Sequence, residues 1–302
     1  MTLTEFEIGE TKMPSVGFGT YLIDDAAAPE AVAAAIAAGY RHIDTAAGYQ
    51  NEAGVGEGVR RGIAEAGLKR EDIFVTTKLW PGNAAWGDTP KGYDETRAAF
   101  EESRAALGLD VVDLYLIHAP SGGSERVNEW RALTDLKAEG KARCVGVSNF
   151  TEAHMEELRA AGLPTPDANQ IELHPWTQKT GLVAYMRDRG ILPIAYSSLA
   201  PLSTWRSVPG QSSAKTDAMR AEATPFADMA QHYDVSEAQL LLRWGVQNGF
   251  AVLPKSLNHA RMRANLDLFG FEISGADMAA LAAMDKGDEG IAWASGDPRH
   301  MG

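Results

Sequence analysis

The 302-residue chain holds one cysteine, Cys144, so it cannot close an internal disulfide or build a cysteine-based metal site. Both facts suit a reducing cytosol, and a cytoplasmic location is expected. Positive charge is also scarce: 28 Lys and Arg stand against 41 Asp and Glu, a formal net charge of −13. That balance argues against a general nucleic-acid or anionic-membrane surface, either of which needs a basic face. It makes any local basic cluster informative. No apolar run is long enough to span a bilayer; the most apolar stretch, Ala26 to Gly39, is interrupted by Pro29 and Glu30 and reads as an Ala-rich helix. The opening MTLTEFEIGETKMP has no basic segment leading into an apolar one, so no secretory signal is expected.

What the chain does have is a regular beat. Its hydrophobic fraction of 45% and charged fraction of 23% suit a globular protein with a sizeable core. Short apolar, β-branched runs recur: SVGFG (15–19), YRHID (40–44), IFVTTK (73–78), VVDLYLIH (111–118), RCVGVS (143–148), ANQIEL (168–173), ILPIAYS (191–197) and FAVLP (250–254). Between them lie amphipathic stretches such as Glu95 to Leu107, Arg126 to Glu139 and Ser236 to Gln247. Gly39, Gly108, Gly140, Gly162 and Gly190 each follow a helical stretch, as C-terminal glycines do. Near-continuous apolar strands alternating with helices imply a parallel sheet covered by helices.

An open doubly wound sheet and a closed eight-stranded barrel both fit that beat. The first run is not followed by G-x-G-x-x-G; Gly17-Phe18-Gly19 lacks the rest of that fingerprint. Eight units without it favour an α/β fold of the (β/α)8 TIM barrel type. Length alone leaves one or two domains open, but no linker-like composition shift interrupts the chain, so residues 1–302 are expected to form a single domain. Residues 3–14 are expected to form a small β-hairpin over the barrel bottom. The Ser- and Pro-rich stretch Leu199 to Ala214 reads as a long loop of the kind that carries function.

In such a barrel the active site lies at the C-terminal ends of the strands. Asp44 ends the second run, Lys78 the third and His118 the fourth; Ser148 and Asn149 follow the fifth, Gln170 lies in the sixth, Tyr196 and Ser197 end the seventh, and Lys255 and Ser256 follow the eighth. Singly, Asp44 could cap the next helix, Lys78 could snorkel to solvent and His118 could be a satisfied core histidine. Converging on one rim, the three are hard to explain by packing, because charged groups are rarely buried without a partner. Tyr49, five residues past Asp44, can sit over the same rim. A neighbouring ammonium stabilises a phenolate, so Lys78 is expected to lower the Tyr49 pKa from about 10 towards neutrality, with Asp44 holding the lysine charged. His118 could then hydrogen-bond a substrate carbonyl oxygen. Such a set polarises a carbonyl but carries no reductant, so a hydride cofactor is needed.

These residues sit in segments that closely resemble the aldo-keto reductase superfamily, and within it the bacterial enzymes similar to 2,5-diketo-D-gluconate reductases. The segments are GFGTYLI (17–23), GYRHIDTAAGYQNEAGVGEGV (39–59), TTKLW (76–80), LGLDVVDLYLIH (107–118), GKARCVGVSNF (140–150), NQIELHP (169–175), AYSSL (195–199) and LPKS (253–256). They run in order over nearly the whole chain. The resemblance implies a catalytic tetrad of Asp44, Tyr49, Lys78 and His118, with Tyr49 as general acid in the reduction of aldehydes and ketones. It implies a barrel with an N-terminal hairpin, a C-terminal loop over the barrel mouth and an extended NADPH. Tyr196 would stack on the nicotinamide; Ser148, Asn149 and Gln170 would bind its carboxamide. Ser197, Ser198 and Leu199 would meet the pyrophosphate, Thr20, Tyr21 and Asp44 would lie near the nicotinamide ribose, and Gly19 would belong to the same cofactor site. Tyr21, Tyr49, Trp80 and His118 would line the substrate pocket. The resemblance further implies a monomer acting on a small carbonyl compound.

The phosphate end has support of its own. Lys255, Arg261 and Arg263 cluster after the last run, and Asn258 is a candidate N-cap that would place both arginines in the first turns of a helix. Cations there oppose the helix dipole, and a bound anion would reverse that balance. The alternative is a solvated basic helix start. In the family the matching Lys, Ser and Arg hold the adenosine 2′-phosphate, so Lys255, Ser256 and Arg261 favour NADPH over NADH, and Asn265 matches an adenine contact. Ala264 stands where a Glu is common in the family, which weakens the adenine contact but not the phosphate site; the other departures concern the substrate pocket, where Ala119 stands in place of a frequent bulky Trp and Ser198 and Ala200 replace Pro and Gly. Trp86 and Trp176 fall in rim loops, and the tail from Gly287 to Gly302, with Trp293 as its large aromatic, is expected over the barrel mouth. Two rivals remain: a non-catalytic NADPH-binding regulatory barrel, for which the intact tetrad has no use, and a metal hydrolase using Asp44, His118 and His174, for which a compact ligand pair such as H-x-H is missing. No metal is expected.

Overall fold

Alternation of apolar side chains between two faces builds the sheet, and the computed structural model describes residues 4–202, 224–292 and 297–301 of it and its surroundings. Two short strands come first, β1 (Glu5–Ile8) and β2 (Thr11–Pro14), paired antiparallel as the expected hairpin. Eight parallel strands follow: β3 (Phe18–Gly19), β4 (His42–Asp44), β5 (Phe74–Leu79), β6 (Val112–Ile117), β7 (Ala142–Ser148), β8 (Ala168–Glu172), β9 (Leu192–Tyr196) and β10 (Ala251–Val252). Each pairs with its neighbours in chain order. The ends meet as well: Val16 bridges Val252, and Gly17 N donates to Val252 O at 2.8 Å, Val252 N to Ser15 O at 2.9 Å and Gly19 N to Pro254 O at 3.1 Å. These bonds close the (β/α)8 barrel. All eight expected runs are strands; the first and last are only two residues long because the seam is stitched by isolated bonds rather than a ladder.

Side chains alternate between the barrel interior and the helix-covered exterior. Leu114, Leu116, Cys144, Ile194 and Ala251 pack with Ile8 and Met13, so the hairpin plugs the N-terminal end. Tyr115, Ile117, Val145 and Val147 face outward into the core shared with the helices. Those helices include α1 (Ala28–Ala38), α2 (Glu52–Ala66), α3 (Tyr93–Leu107), α4 (Arg126–Ala138), α5 (Glu152–Ala160), α6 (Thr180–Asp188), α7 (Ala227–His232), α8 (Glu237–Gln247), α9 (His259–Leu266) and α10 (Gly275–Ala282). Gly39 and Gly108 cap α1 and α3 in the left-handed region, as expected. The stripe Gly54, Gly58 and Gly62 lets α2 lie close on α1 and the turn before it: a Cβ at Gly54 would sit 2.1 Å from Asp25 O, one at Gly58 2.7 Å from Val32 Cβ and one at Gly62 2.7 Å from Ile36 Cδ1.

The C-terminal segment reaches the barrel mouth as expected. Ala292 N donates to Glu172 Oε1 at 2.6 Å, at the C-terminal end of β8. Gly290 passes so near the Trp176 carbonyl that a Cβ would lie 1.8 Å from it. Trp293, and the part of the Leu199–Ala214 loop beyond Leu202, lie outside the described residues.

One buried carboxyl sits in the helix layer without a partner. Glu129 on α4 is fully buried, neither carboxyl oxygen accepts a hydrogen bond, and burial pushes its pKa up to about 8. A folded-state value above the unfolded one means that its contribution to stability is present below about pH 4 and is lost as pH rises through about 8. Glu129→Gln is therefore expected to gain thermal stability relative to wild type as pH rises from 5 to 8, by up to a few kcal/mol. Melting curves of both proteins across that range check it; a constant difference would show that Glu129 does not titrate there.

Candidate active site

The polar residues that end apolar runs in the sequence are brought onto one rim. Asp44 is the last residue of β4, Lys78 lies one residue before the end of β5, and His118 directly follows β6. Tyr49 ends a single helical turn, Ala47–Tyr49, and the chain then turns at Gln50, whose φ of 56° is left-handed. Buried Asn51 clamps that turn: its Nδ2 donates to Thr20 O at 3.0 Å and Ile23 O at 2.8 Å, and its Oδ1 accepts from Thr45 Oγ1 at 2.7 Å. Asn51 stands inside the matching segment 39–59, yet nothing in the pattern there marked it as the clamp.

Lys78 is the hub. Its ammonium is fully buried and donates to Asp44 Oδ1 at 2.6 Å, to Thr45 O at 2.8 Å and to the Tyr49 hydroxyl oxygen at 3.4 Å. Three donors thus meet three acceptors, the condition under which a buried charge is tolerable. The other Asp44 oxygen, Oδ2, accepts from Gln170 Nε2 at 2.8 Å. Asp44 is therefore tied from both sides and does not cap the following helix. Burial opposes the lysine's charge, but Asp44 and Tyr49 outweigh it, and the Lys78 pKa ends above its ordinary value.

The expectation for Tyr49 needs correction. Burial raises its pKa, Lys78 pulls it down, Asp44 pushes it up again, and the result lies above the ordinary phenol value. Desolvation of the phenolate outweighs the ammonium because Asp44 already neutralises much of that charge. Tyr49 is thus a firmly protonated phenol near neutral pH. The His118 ring lies edge-on to Tyr49, 5.4 Å between centroids. Burial, helped by the Lys78 charge, lowers the His118 pKa to about 3, so the imidazole is neutral. A neutral imidazole and a phenol can each donate one hydrogen bond to a single oxygen placed between them.

Aromatic rings line the opening. Tyr21 lies 5.0 Å from Tyr49, and Trp80 meets His118 edge-on at 6.0 Å. Trp86 stacks on Trp80, whereas Trp176 is buried against Phe226 and belongs to the core rather than to the opening. Ala119 leaves only a methyl group beside His118.

A second polar group adjoins the rim. Ser148 Oγ donates to Gln170 O at 2.8 Å, and Asn149 Nδ2 donates to Ser148 Oγ and His118 O, both at 3.1 Å. Tyr196 donates its hydroxyl to Asn149 Oδ1 at 2.7 Å. Asn149 and Ser197 have left-handed φ values of 62° and 56°, conformations that non-glycine residues adopt mainly where the surroundings enforce them. Ser198 Oγ donates to Ala195 O at 3.3 Å, and Leu199 leads into the turn Ala200–Leu202. Thr20 donates both its N–H and its hydroxyl to Asp44 O, each at 3.0 Å. Gly19 passes so near the next loop that a Cβ would lie 3.0 Å from Leu253 O.

At the far end, Lys255, Arg261 and Arg263 are exposed, and none pairs with a carboxylate among the described residues. Asn258 caps α9 as expected, its Oδ1 accepting from Arg261 N at 3.0 Å. Arg261 lies in a first turn that has no acid, while Arg263 falls in the last turn of this eight-residue helix, where the dipole favours it. The expectation of two unfavourable arginines thus reduces to Arg261. Ser256 Oγ accepts from Asn258 N at 3.1 Å, and buried Asn265 lies against the Tyr40 hydroxyl. Among the described residues no three His, Cys, Asp or Glu side chains group as metal ligands; His174 instead pairs with Glu172 at 2.9 Å. No helix among them is long and apolar enough to cross a membrane.

Residues 15–286 match the pattern of the aldo/keto reductase family. The chain is 41% identical over 276 residues to the uncharacterized oxidoreductase YtbE of Bacillus subtilis, covering 91% of this chain and 90% of the relative. It is 39% identical to glyoxal reductase of the same organism, with the same coverage. Among solved structures, an aldo-keto reductase of Bombyx mori in complex with NADP is similar with a TM-score of 0.82 at 33% identity, covering 95% of this chain and 94% of that one.

Proposed function

From a chain that belongs to the aldo/keto reductase family, we propose an NADPH-dependent reductase that converts aldehydes or ketones into alcohols, with Tyr49 as proton donor. One observation carries the reading: a fully buried Lys78 ammonium held between Asp44 and the Tyr49 hydroxyl, with a neutral His118 ring alongside. Residues 1–302 are read as one barrel domain, and a monomer suffices because every proposed group comes from one chain. Glyoxal reductase and the NADP-bound relative support the substrate class and the cofactor.

The residues fit NADPH on their own chemistry. Exposed Lys255 and Arg261, which pair with no carboxylate among the described residues, offer with Ser256 a phosphate site at the start of α9. Ser148, Asn149 and Gln170 present amide and hydroxyl groups beside the rim, and Tyr196 adds an aromatic face. Gly19, Thr20, Tyr21, Ser197, Ser198 and Leu199 frame the path between the two ends. NADPH bound there supplies the hydride.

The protein's own part is to hold the carbonyl and move one proton. Tyr49 Oη and His118 orient the carbonyl oxygen and donate to it as negative charge develops. The Tyr49 proton passes to that oxygen, and Lys78, fixed by Asp44 and Thr45 O, stabilises the phenolate left behind. Gln170 holds Asp44 from its second oxygen and so keeps the lysine in place. Tyr21 and Trp80 flank the site.

The test is NADPH oxidation with a panel of aldehydes, α-diketones and keto-sugars, with NADH in parallel. Turnover with NADPH and little with NADH is expected. Tight NADPH binding without turnover would favour a regulatory NADPH-binding barrel. Arg261→Ala is expected to raise the KM for NADPH roughly tenfold to a hundredfold and leave that for NADH unchanged, since a charge-assisted contact contributes about 1.5–3 kcal/mol. Equal effects on both cofactors would remove Arg261 from the phosphate site.

A further inference from the structure

Among the described residues only three large hydrophobic side chains are well exposed: Leu22 at 61%, Trp86 at 60% and Leu257 at 54%. An exposed tryptophan on an ordered loop is a candidate contact surface. Trp86 is also the outer end of an unbroken line of rings that starts inside the site. The steps run Tyr21 to Tyr49 at 5.0 Å, Tyr49 to His118 at 5.4 Å, His118 to Trp80 at 6.0 Å and Trp80 to Trp86 at 5.7 Å. The last pair is nearly parallel, with 15° between the ring planes.

The loop that carries Trp86 is built to hold it still. Asn83 Oδ1 accepts from Ala85 N at 3.0 Å, and Asn83 O accepts from Trp86 N at 2.9 Å and Asp88 N at 3.0 Å. Lys91 N donates to Pro81 O at 2.9 Å, and Ser121 Oγ donates to Gly82 O at 2.7 Å, tying the loop to the segment after His118. Gly82 has a left-handed φ of 87°, and a Cβ there would lie 2.3 Å from Thr89 O. The Trp80 indole N–H is taken by Asp88 Oδ2 at 3.2 Å, so that edge is already engaged and the stacked rings offer π surface. Asp88 also makes this wall unfavourable for an anionic group.

We infer that Trp86 and Trp80 together form a stacked indole wall that binds the flat, apolar body of a carbonyl substrate whose C=O lies at Tyr49 and His118. The inference rests on the reductase reading above and specifies its substrate class: aryl aldehydes or ketones more than one ring long. A small aldehyde would stay among Tyr21, Tyr49, His118 and the near edge of Trp80, short of Trp86. Two linked rings extend past Trp80 to Trp86, and the wall then contributes through stacking.

The test compares 4-phenylbenzaldehyde with propanal, using NADPH, in wild type, Trp86→Ala and Trp86→Phe. Trp86→Ala is expected to lower kcat/KM for 4-phenylbenzaldehyde about tenfold, mainly through KM, and to leave propanal within about twofold. Trp86→Phe should restore most of the loss. Calorimetric titration of the NADP+-loaded protein with biphenyl-4-carboxamide should show the same tenfold weakening without any turnover. Parallel losses on both aldehydes, or no loss on the biaryl one, would overturn the inference. If wild type turned over neither aldehyde, the reductase reading would stand or fall on the wider carbonyl panel above, while the calorimetry would still decide whether Trp86 binds an aryl body.

Discussion

Tyr49→Phe is expected to lower kcat for carbonyl reduction by about a thousandfold while NADPH binds within about twofold of wild type, because a positioned general acid contributes roughly 10² to 10⁴ in rate. The substitution removes one oxygen and little else. The ring keeps its neighbours Tyr21 and His118, and Lys78 keeps its bonds to Asp44 and Thr45 O. The lost contact to Lys78 is long, at 3.4 Å, so stability should change by less than about 1 kcal/mol. A folded, cofactor-binding, inactive protein would separate proton donation from structure. Retention of most of kcat would remove Tyr49 from the chemistry. The pH profile gives a second reading of the same assignment. Tyr49 sits above the ordinary phenol range and His118 at about 3, so neither changes protonation between pH 6 and 9. The kcat for reduction should therefore stay flat across that interval, and a fall centred below pH 8 would point to a different donor.

The barrel was legible in sequence because each strand is a short β-branched run, and helices with closing glycines separate the runs. What the runs overstated was the seam, where β3 and β10 keep only two residues each because closure needs a few bonds and no ladder. Asp44, Lys78 and His118 stood out because polar residues at the ends of apolar runs break the local pattern, and such breaks concentrate at functional sites. Other features depend on packing and could not be read in this way. The bond from Gln170 to Asp44 joins residues 126 positions apart, and the third acceptor for Lys78 is a backbone carbonyl, which carries no side-chain signature. The direction of the Tyr49 shift was misjudged because it depends on how thoroughly the phenol is desolvated, and sequence records only that a lysine is available. Trp176 and Trp86 occupy similar rim loops in sequence, yet one fills the core beneath Lys286 and the other stacks outside on Trp80.

Lys78→Met should be the most damaging substitution to the fold among those that touch the site, and pairing it with Asp44→Asn separates its two roles. Methionine has similar length and fills the same space, but it leaves the buried Asp44 carboxylate without its cation. Removing one partner of a buried pair costs about 3–5 kcal/mol. That is a large share of the roughly 5–15 kcal/mol that holds a domain folded. Asp44 Oδ2 would retain Gln170, and Oδ1 would face a thioether. A drop in Tm of roughly 10 °C is expected for the single variant. In the Asp44→Asn, Lys78→Met double variant no buried charge remains, and the new amide oxygen still accepts from Gln170, so most of that stability should return. Activity should not return with it. Both variants lack the ammonium that stabilises the Tyr49 phenolate, and kcat should stay at least about a hundredfold below wild type in each. Calorimetric melting and steady-state kinetics on the two single variants and the double variant complete the cycle. Recovery of stability without activity would show that Lys78 supports the fold as the partner of Asp44 and supports the chemistry through Tyr49. Recovery of both would mean that the lysine only neutralises Asp44, and the proton path would have to run elsewhere.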